Sequence, residues 1–513
     1  MEGVKQDRLL TLMMLPPWAL HLALIWSFRF VPSIDYPEWL FQSNILAHYH
    51  DPLFNFSQMY DLIFSPIPNA GFVLPTALFS TIVPIEVAGK LILSLYVVWF
   101  PLSLRSYYKA TSQHSMYWVI GVLILFNISF FNGNFNFLIG LCLLFSSLSY
   151  VERRRGRFRF REFFVTAVLT LLIFLSHAVC AIVFLLYSLF RFFERGTTPV
   201  EKRMFSLFAV ENLALTAFYL ATKPQNRMIT VFDWLPDLRY RLLLVTKPFF
   251  VGWSYPPYEF SLFRFLTTSL FVVVGVTMAV FSIPTLRKKF SESSPATLTV
   301  VVALMTLLGP KNISGIAELS HRFALVSLPL VAGFIKIPER LTATMRWTLV
   351  ALAYLAILAC WKDYRDSSLI IEKRNDFLHR HLQPGDAILT LDDDLGESKA
   401  PFLHLVPKGV SFTFQADYFM MGGGCNSFSF PTSFLIPRDT FIVQFYRLAS
   451  TGGLDGVLGL RGTDIPHQVR FIIIDSASDW GKRLAHGLAS RFHLIAEEEI
   501  VPGVRTIVLE RTS

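Results

Sequence analysis

The chain has 513 residues, of which 53% are hydrophobic and only 16% are charged, and its mean hydropathy is +0.48. A water-soluble protein would expose too much apolar surface at these values, so the composition excludes that class and predicts a polytopic membrane protein. The net charge of +9 does not indicate a nucleic-acid partner, because the basic residues gather in short loops between apolar segments and there indicate topology.

The first long apolar stretch, residues 9–31, has about the length that a helix needs to cross a bilayer. It is too long for a cleavable signal peptide and lacks a small-residue cleavage site, so we expect it to remain as the first helix. Asp35 follows and opens a polar, aromatic segment that also contains Glu38, His48 and His50. A carboxylate at this depth indicates chemistry on a substrate that is itself partly in lipid.

The segment 67–86 is also apolar, but counting it as a crossing would place the basic end of the next span outside. Because Pro75 interrupts the segment and Pro84 closes it, we expect an interfacial or re-entrant helix here. The first outer loop is therefore predicted to cover residues 32–86.

About eleven apolar stretches are predicted to cross the membrane as helices. They lie near residues 9–31, 87–106, 115–131, 134–150, 162–177, 178–194, 204–222, 260–283, 296–310, 320–337 and 345–361. The basic loops between them all fall on the side of the N-terminus, which we expect to be cytoplasmic. These loops are 152–161, 191–203, 285–290 and 337–346. Short spans without an organelle signal favour a bacterial inner membrane.

The apolar stretch 163–193 has strongly basic flanks on both sides. Two crossings are therefore required, and the outer turn is expected near Ser176 and His177. At the tip of this turn His177 could contact an acceptor or a phosphate, or it could simply cap a helix.

An odd number of crossings leaves the chain after about residue 362 outside, where charged and turn-forming residues become frequent. QPGDAILTL and RFIIIDS predict buried strands, GKRLAHGLASRF an amphipathic helix, and VPGVRTIVLER a final strand. We therefore expect a transmembrane domain over residues 1–361 and an extracytoplasmic (periplasmic) α/β domain over residues 362–513.

The order of these segments resembles the membrane-embedded C-type glycosyltransferases, in which a first helix ends in an acidic residue and an amphipathic segment, many spans and an outer C-terminal domain follow. Two strings add to the resemblance: FNGNFNFLIGLCLLFSSLSY at 131–150, and SHRFALVSLPLVAGF at 320–334, which looks like the Arg-containing opening of a late helix in several of these enzymes.

The resemblance implies an enzyme that takes a sugar from a polyprenyl-phosphate donor and inverts its anomeric centre. Asp35 matches the first-loop carboxylate that acts as a base on the acceptor hydroxyl. Arg322, with its planar fork of five donors, is the candidate for stabilising the departing phosphate, with His321 and Lys311 as helpers. Further candidates for substrate or phosphate binding are Glu38, His48, His50 and His177.

Each of these assignments has a plainer alternative. Asp35 before Pro37 could be an ordinary helix cap, and Arg322 could anchor a helix end at the head groups. The asparagines of NGNFNF, residues 132–137, could bind a sugar or satisfy one another in a tight turn. No cofactor is indicated with certainty; a divalent cation, Mg²⁺ or Mn²⁺, is an alternative, with Asp35, Glu38 or His48 as ligands.

The acceptor could be a glycan, a lipid or a protein, and membrane lipids would surround the chain. A ligase or polymerase that uses a polyprenyl-pyrophosphate donor is the nearest enzymatic alternative, and it would depend on Arg and His rather than on a carboxylate. A lipid or glycan transporter and a non-catalytic assembly subunit are the alternatives from other classes.

Overall fold

The protein is described by a computed structural model that is mostly helical, with a small C-terminal sheet. The description covers residues 2–33, 35–52, 56–62, 68–111, 113, 115–222, 262–290, 292–310, 319–336, 339–382, 387–392, 426–427, 435–437, 470–476, 479–501 and 504–512. The membrane-type α-helical class predicted from the composition is consistent with this content.

The helices follow one another along the chain, with a 3-10 turn at Ser115–Trp118 before α6. Their bounds are α1 (Glu2–Ser27), α2 (Tyr36–Ala47), α3 (Phe56–Met59), α4 (Val73–Ser80), α5 (Ile85–Ala110), α6 (Val119–Leu123), α7 (Ile128–Phe131), α8 (Phe135–Arg153), α9 (Phe160–Ser176), α10 (Ala178–Phe193), α11 (Pro199–Thr222), α12 (Leu262–Lys289), α13 (Ser294–Leu308), α14 (Leu319–Ala332), α15 (Glu339–His381) and α16 (Asp479–Leu488).

Among the described residues, three helices are long and apolar enough to cross a membrane by length and composition: Leu9–Ser27 of α1, all of α5, and all of α8. Shorter apolar helices cover Met116–Phe131, Ala178–Phe193, Ser294–Leu308, Leu319–Ala332 and Thr342–Leu358. The total of about eleven crossings stays a prediction.

The stretch predicted as a span near 115–131 is helical only in pieces. Asn127 separates α6 from α7, and its side-chain oxygen accepts the backbone N–H groups of Ser129 at 2.7 Å and Phe130 at 3.1 Å. An asparagine that caps a helix in this way begins a new helix rather than extending the previous one. The chain consequently turns twice before α8, once between α6 and α7 and once between α7 and α8.

The loops predicted to be cytoplasmic meet at one end of the helices. Arg191 donates to Glu194 at 2.6 Å and lies 3.8 Å from Glu201, and Arg155 also pairs with Glu194. Ser294, at the start of α13, donates to the same Glu194 carboxylate at 2.5 Å. These contacts bring together the ends of α8, α10, α11 and α13 and two of the predicted cytoplasmic loops, 152–161 and 191–203, and the topology itself stays a prediction.

The segment expected to form an interfacial or re-entrant helix contains α4. Pro75 lies in its first turn, where a proline costs no hydrogen bond, and Pro84 directly precedes α5. Leu78 is 69% exposed and Ile82 is 81% exposed, so the segment presents apolar side chains outward. Such a surface fits contact with lipid at the membrane boundary.

The C-terminal strands form a mixed sheet in the order β3-β2-β5-β7-β6. Their bounds are β2 (Ala387–Asp392), β3 (Asn426–Ser427), β5 (Phe471–Ser476), β6 (Phe492–Val501) and β7 (Val504–Arg511). β2 runs parallel to β3 and β5, whereas β7 is antiparallel to β5 and β6. Three of these strands, β2, β5 and β7, and α16 are those predicted from the sequence, whereas β3 and β6 were not predicted.

The C-terminal part of the chain is tied to the first outer loop and to α15. β1 (Tyr60–Leu62) of that loop pairs antiparallel with β4 (Leu435–Pro437) in a separate two-stranded sheet. Lys373 donates to the backbone oxygen of Glu499 at 2.9 Å. Because α15 is continuous over its 43 residues, the composition boundary at residues 361 and 362 falls inside a helix rather than in a linker.

Candidate functional site

The turn between α7 and α8, residues 132–137, is the centre of the candidate site. Gly133 has a φ of +85°, and a Cβ atom on it would lie 2.7 Å from the backbone nitrogen of Asp35. Only glycine combines this left-handed backbone with so close an approach. The turn is therefore pressed directly against the residue proposed as the base.

Asp35 is held to this turn through its backbone. Its N–H donates to the oxygen of Asn132 at 3.3 Å, and the indole N–H of Trp39 donates to the oxygen of Gly133 at 2.8 Å. Asp35 occupies the cap position of α2, but its side chain makes no capping hydrogen bond there. The geometry therefore does not give the carboxylate the cap role that was its plainer alternative.

Arg322, in the first turn of α14, reaches the other side of the same turn. Its guanidinium donates to Oδ1 of Asn134 at 2.7 Å and lies 2.8 Å from Nε2 of His177. The guanidinium carbon also lies 6.0 Å from the centre of the Phe137 ring. The guanidinium therefore contacts protein groups, which the alternative of an anchor in the lipid head groups does not predict.

His177 has the capping role considered for it, and it also contacts Arg322. It stands between α9 and α10 in an extended conformation, and its Nδ1 accepts the backbone N–H of Val179 at 3.1 Å, which caps α10. Its other nitrogen faces Arg322, and its ring meets that of Phe137 at 5.2 Å. The break predicted near Ser176 and His177 is thus present, and it places His177 in the site.

The asparagines of the turn bind other elements rather than one another. Asn134 accepts from Arg322, and Oδ1 of Asn136 accepts the backbone N–H of Phe72 at 2.7 Å. The second contact connects α8 to the segment that leads into α4. The turn therefore joins the first outer loop, α8, α10 and α14.

The remaining candidates lie apart from this arrangement or outside the described residues. Glu38 is buried in α2 and accepts from Gln42 at 3.2 Å. His48 and His50 follow the end of α2, where His48 lies 3.8 Å from Asp51. His321 is buried beside Arg322, and the structure assigns no chemical role to it. Lys311 lies outside the described residues.

A metal site that combines Asp35, Glu38 and His48 is incompatible with α2. His48 follows Asp35 by 13 positions along a helix, which separates the two by about 20 Å. Ligands of one Mg²⁺ or Mn²⁺ ion must all lie within about 2.5 Å of it. Asp35 and Glu38 could still share an ion, but in the described part of the chain no three His, Cys, Asp or Glu side chains group together.

The connection between the two proposed catalytic residues was not recognised from the sequence. Its signal is the Asn-Gly-Asn string at 132–134, directly before a long apolar helix. The central glycine of such a string indicates a left-handed turn, but not which residue the turn contacts. Comparison of the chain with protein-family models, with curated proteins and with solved structures finds no match.

Proposed function

We propose that this chain is an inverting glycosyltransferase of the membrane-embedded C type, with about eleven transmembrane helices and an extracytoplasmic C-terminal domain. It would move a sugar from a polyprenyl-phosphate donor to an extracytoplasmic glycan, lipid or protein in a bacterial inner membrane. One observation carries the proposal: the turn at 132–137 contacts Asp35 on one side and Arg322 on the other.

In the proposed reaction the acceptor oxygen attacks the anomeric carbon of the donor sugar. The new bond from carbon to oxygen forms as the bond to the phosphate oxygen breaks, and the phosphate leaves with the electron pair. The carboxylate of Asp35 takes the proton of the acceptor hydroxyl. Arg322 donates to the phosphate as negative charge develops on it.

The arrangement suits this chemistry because base and cation are held by one short turn. Gly133, which packs against Asp35, and Asn134, which accepts from Arg322, are adjacent residues, so their Cα atoms lie about 3.8 Å apart. In the proposed reaction the sugar lies between the carboxylate and the guanidinium, with the incoming oxygen on one face of the ring and the phosphate on the other. Attack and departure on opposite faces invert the anomeric centre.

The proposal is tested with radiolabelled polyprenyl-phosphate sugars and purified protein in nanodiscs. We expect wild type to consume at least one donor and Arg322→Ala to lower the rate by about 10² or more, because transition-state charge is no longer stabilised. Arg365→Ala is the control, since Arg365 is 51% exposed and pairs with its neighbour Asp366.

Other outcomes separate the alternatives. Consumption of pyrophosphate donors alone would favour a ligase or polymerase. No consumption of any donor would favour a transporter or an assembly subunit. Undiminished activity in Arg322→Ala would place the leaving-group site elsewhere.

A further inference from the structure

Three helices begin around Arg322. Arg322 itself lies in the first turn of α14, it contacts Asn134 at the start of α8, and it contacts His177 at the start of α10. The N-terminus of each helix carries roughly half a positive charge from the aligned peptide dipoles. A guanidinium among three such ends creates a strongly positive region, which an anion would stabilise.

The first turn of α8 is not capped by its own cap residue. Asn134 stands at the cap position, but its side chain makes no capping hydrogen bond and accepts from Arg322 instead. The first backbone N–H groups of a helix have no partner inside the helix. At α8 the N–H of Phe135 donates to the oxygen of Gly133 at 2.7 Å. The N–H groups of Asn136 and Phe137 lack the usual acceptor from the cap side chain.

Asn136 adds a side-chain donor to the same turn. It is only 3% exposed, its oxygen is occupied by the N–H of Phe72, and its amide nitrogen has no hydrogen-bond partner within the described part of the chain. Side chains on a helix lean toward its N-terminus, so this short amide lies at the open end of α8. A buried donor of this kind normally has an acceptor, because burial without a hydrogen bond leaves its desolvation uncompensated.

The surroundings of His177 also indicate that a hydrogen-bond acceptor binds next to Asn136. Both of its nitrogens face donors, the N–H of Val179 and the guanidinium of Arg322. A neutral imidazole accepts at only one nitrogen and donates at the other. If Nδ1 caps α10, then Nε2 carries the proton and points at Arg322. Because these two nitrogens lie only 2.8 Å apart, an anionic oxygen beside them, rather than between them, would accept from both.

We infer that the first turn of α8 holds the phosphate group of the substrate, with the amide of Asn136 and the α8 N-terminus as ligands beside Arg322 and His177. The inference rests on the proposed function for the identity of the anion as an isoprenyl phosphate. It assigns Asn136 a role in phosphate binding, whereas the sequence indicated at most a sugar contact for the asparagines of residues 132–137.

The test is calorimetric titration of geranyl phosphate into the full-length protein in nanodiscs, with geraniol and inorganic phosphate as separate titrants. We expect geranyl phosphate to bind and Asn136→Asp to weaken it at least about tenfold, because the isosteric carboxylate repels the anion. Asn136→Ala, which removes the donor without adding charge, should weaken it less. Binding of inorganic phosphate with equal affinity would identify a free-phosphate site instead and overturn the isoprenyl assignment.

Asn127→Asp is the control for the added charge, because Asn127 also accepts backbone N–H groups at a helix start and Asp caps as well as Asn does. The variant loses the hydrogen bond from the amide to the oxygen of Ile124, which affects stability rather than the proposed site. It should bind as wild type does, and the thermal unfolding midpoint of every variant establishes that it is folded. Unchanged binding in both Asn136 variants, or no binding by wild type, would overturn the inference. Binding without sugar transfer from any donor would support the inference while contradicting the proposed enzyme.

Discussion

At the scale of single residues, Gly133 determines how closely the turn approaches Asp35, the proposed base. A Cβ atom there would meet the Cβ atom of Asp35 at 2.7 Å and its Cα atom at 2.9 Å. These atoms belong to the backbone of Asp35 or are bonded to it, so a side chain at position 133 would displace the whole residue. The position of the carboxylate therefore depends on a residue that carries no functional group.

Replacing Gly133 by Ala should reduce kcat/KM for sugar transfer by about 10², because a shift of about 1 Å in a catalytic group has effects of this size. Gly196→Ala is the control: Gly196 also has a positive φ, +83°, but a Cβ atom there meets nothing within 4 Å. Both variants carry the backbone strain, and only Gly133→Ala displaces Asp35. Equal kinetics in the two variants would contradict the role given to Gly133.

The sequence was informative about which residues carry charge at the site and uninformative about how they meet. Asp35 and Arg322 stand out because charged residues next to long apolar stretches are costly without a function. Their connection through Asn134 depends on packing between segments 188 positions apart, which no local pattern encodes. His48 failed as a metal ligand because the length of α2 was not known from the sequence.

At the scale of elements, a buried charge network joins the helix ends opposite the candidate site. Arg191 is 1% exposed, and its partners Glu194 and Glu201 are 3% and 2% exposed. Its guanidinium also lies 5.6 Å from the centre of the Phe205 ring. Buried ion pairs of this kind specify one arrangement of helices more than they add stability.

Arg191→Ala should lower the free energy of unfolding by about 3–5 kcal/mol, because two buried carboxylates lose a partner. The measurement is denaturant unfolding of the protein in detergent micelles. Arg161→Ala, at a position that is 76% exposed and 3.9 Å from Glu162, should change stability by less than about 1 kcal/mol. If Arg191→Ala lost no more stability than Arg161→Ala, the network would not be required for stability.

The elements themselves were largely predictable, and the exceptions have physical reasons. Apolar stretches of helical length coincide with α5, α8, α9 and α10 because burial and apolar surroundings both favour internal backbone hydrogen bonding. β6 carries the run AEEEI and has no alternating pattern, so it gave no strand signal. The residues of α15 change from mostly apolar to mostly polar or charged along its length, although the helix itself is continuous. A composition boundary is therefore not a boundary of secondary structure.

At the scale of the whole molecule, the C-terminal part of the chain contacts both the first outer loop and α15. Asp61 pairs with Ile436 in the two-stranded sheet of β1 and β4, and Arg380 of α15 pairs with Glu498 of β6 at 2.5 Å. A domain held in this way lies on the same side as the loop that carries Asp35. The proposed acceptor would then approach between the sheet and the helix ends.

The attachment predicts a disulfide between cysteines introduced at Asp61 and Ile436. Directly paired residues of antiparallel strands have Cα atoms about 4.5–5.5 Å apart, within the range that a disulfide bridges. Cysteines at Asp61 and Leu435 are the control, because a shift of one residue places the side chains on opposite faces. Mass spectrometry of peptides after mild oxidation should detect a crosslink in the first pair and not in the second. Crosslinking of the control pair alone would contradict this register.

The central claim is that Asp35 is the base of a sugar transfer, and the most direct test compares Asp35→Asn with Asp61→Asn. Asp61 lies exposed in the same outer loop, so its variant removes an equal charge away from the site. The measurement is the rate of sugar transfer to acceptor by folded protein in nanodiscs with the active donor. The account predicts a fall of about 10² or more in Asp35→Asn and little change in Asp61→Asn. An undiminished rate in Asp35→Asn would contradict it.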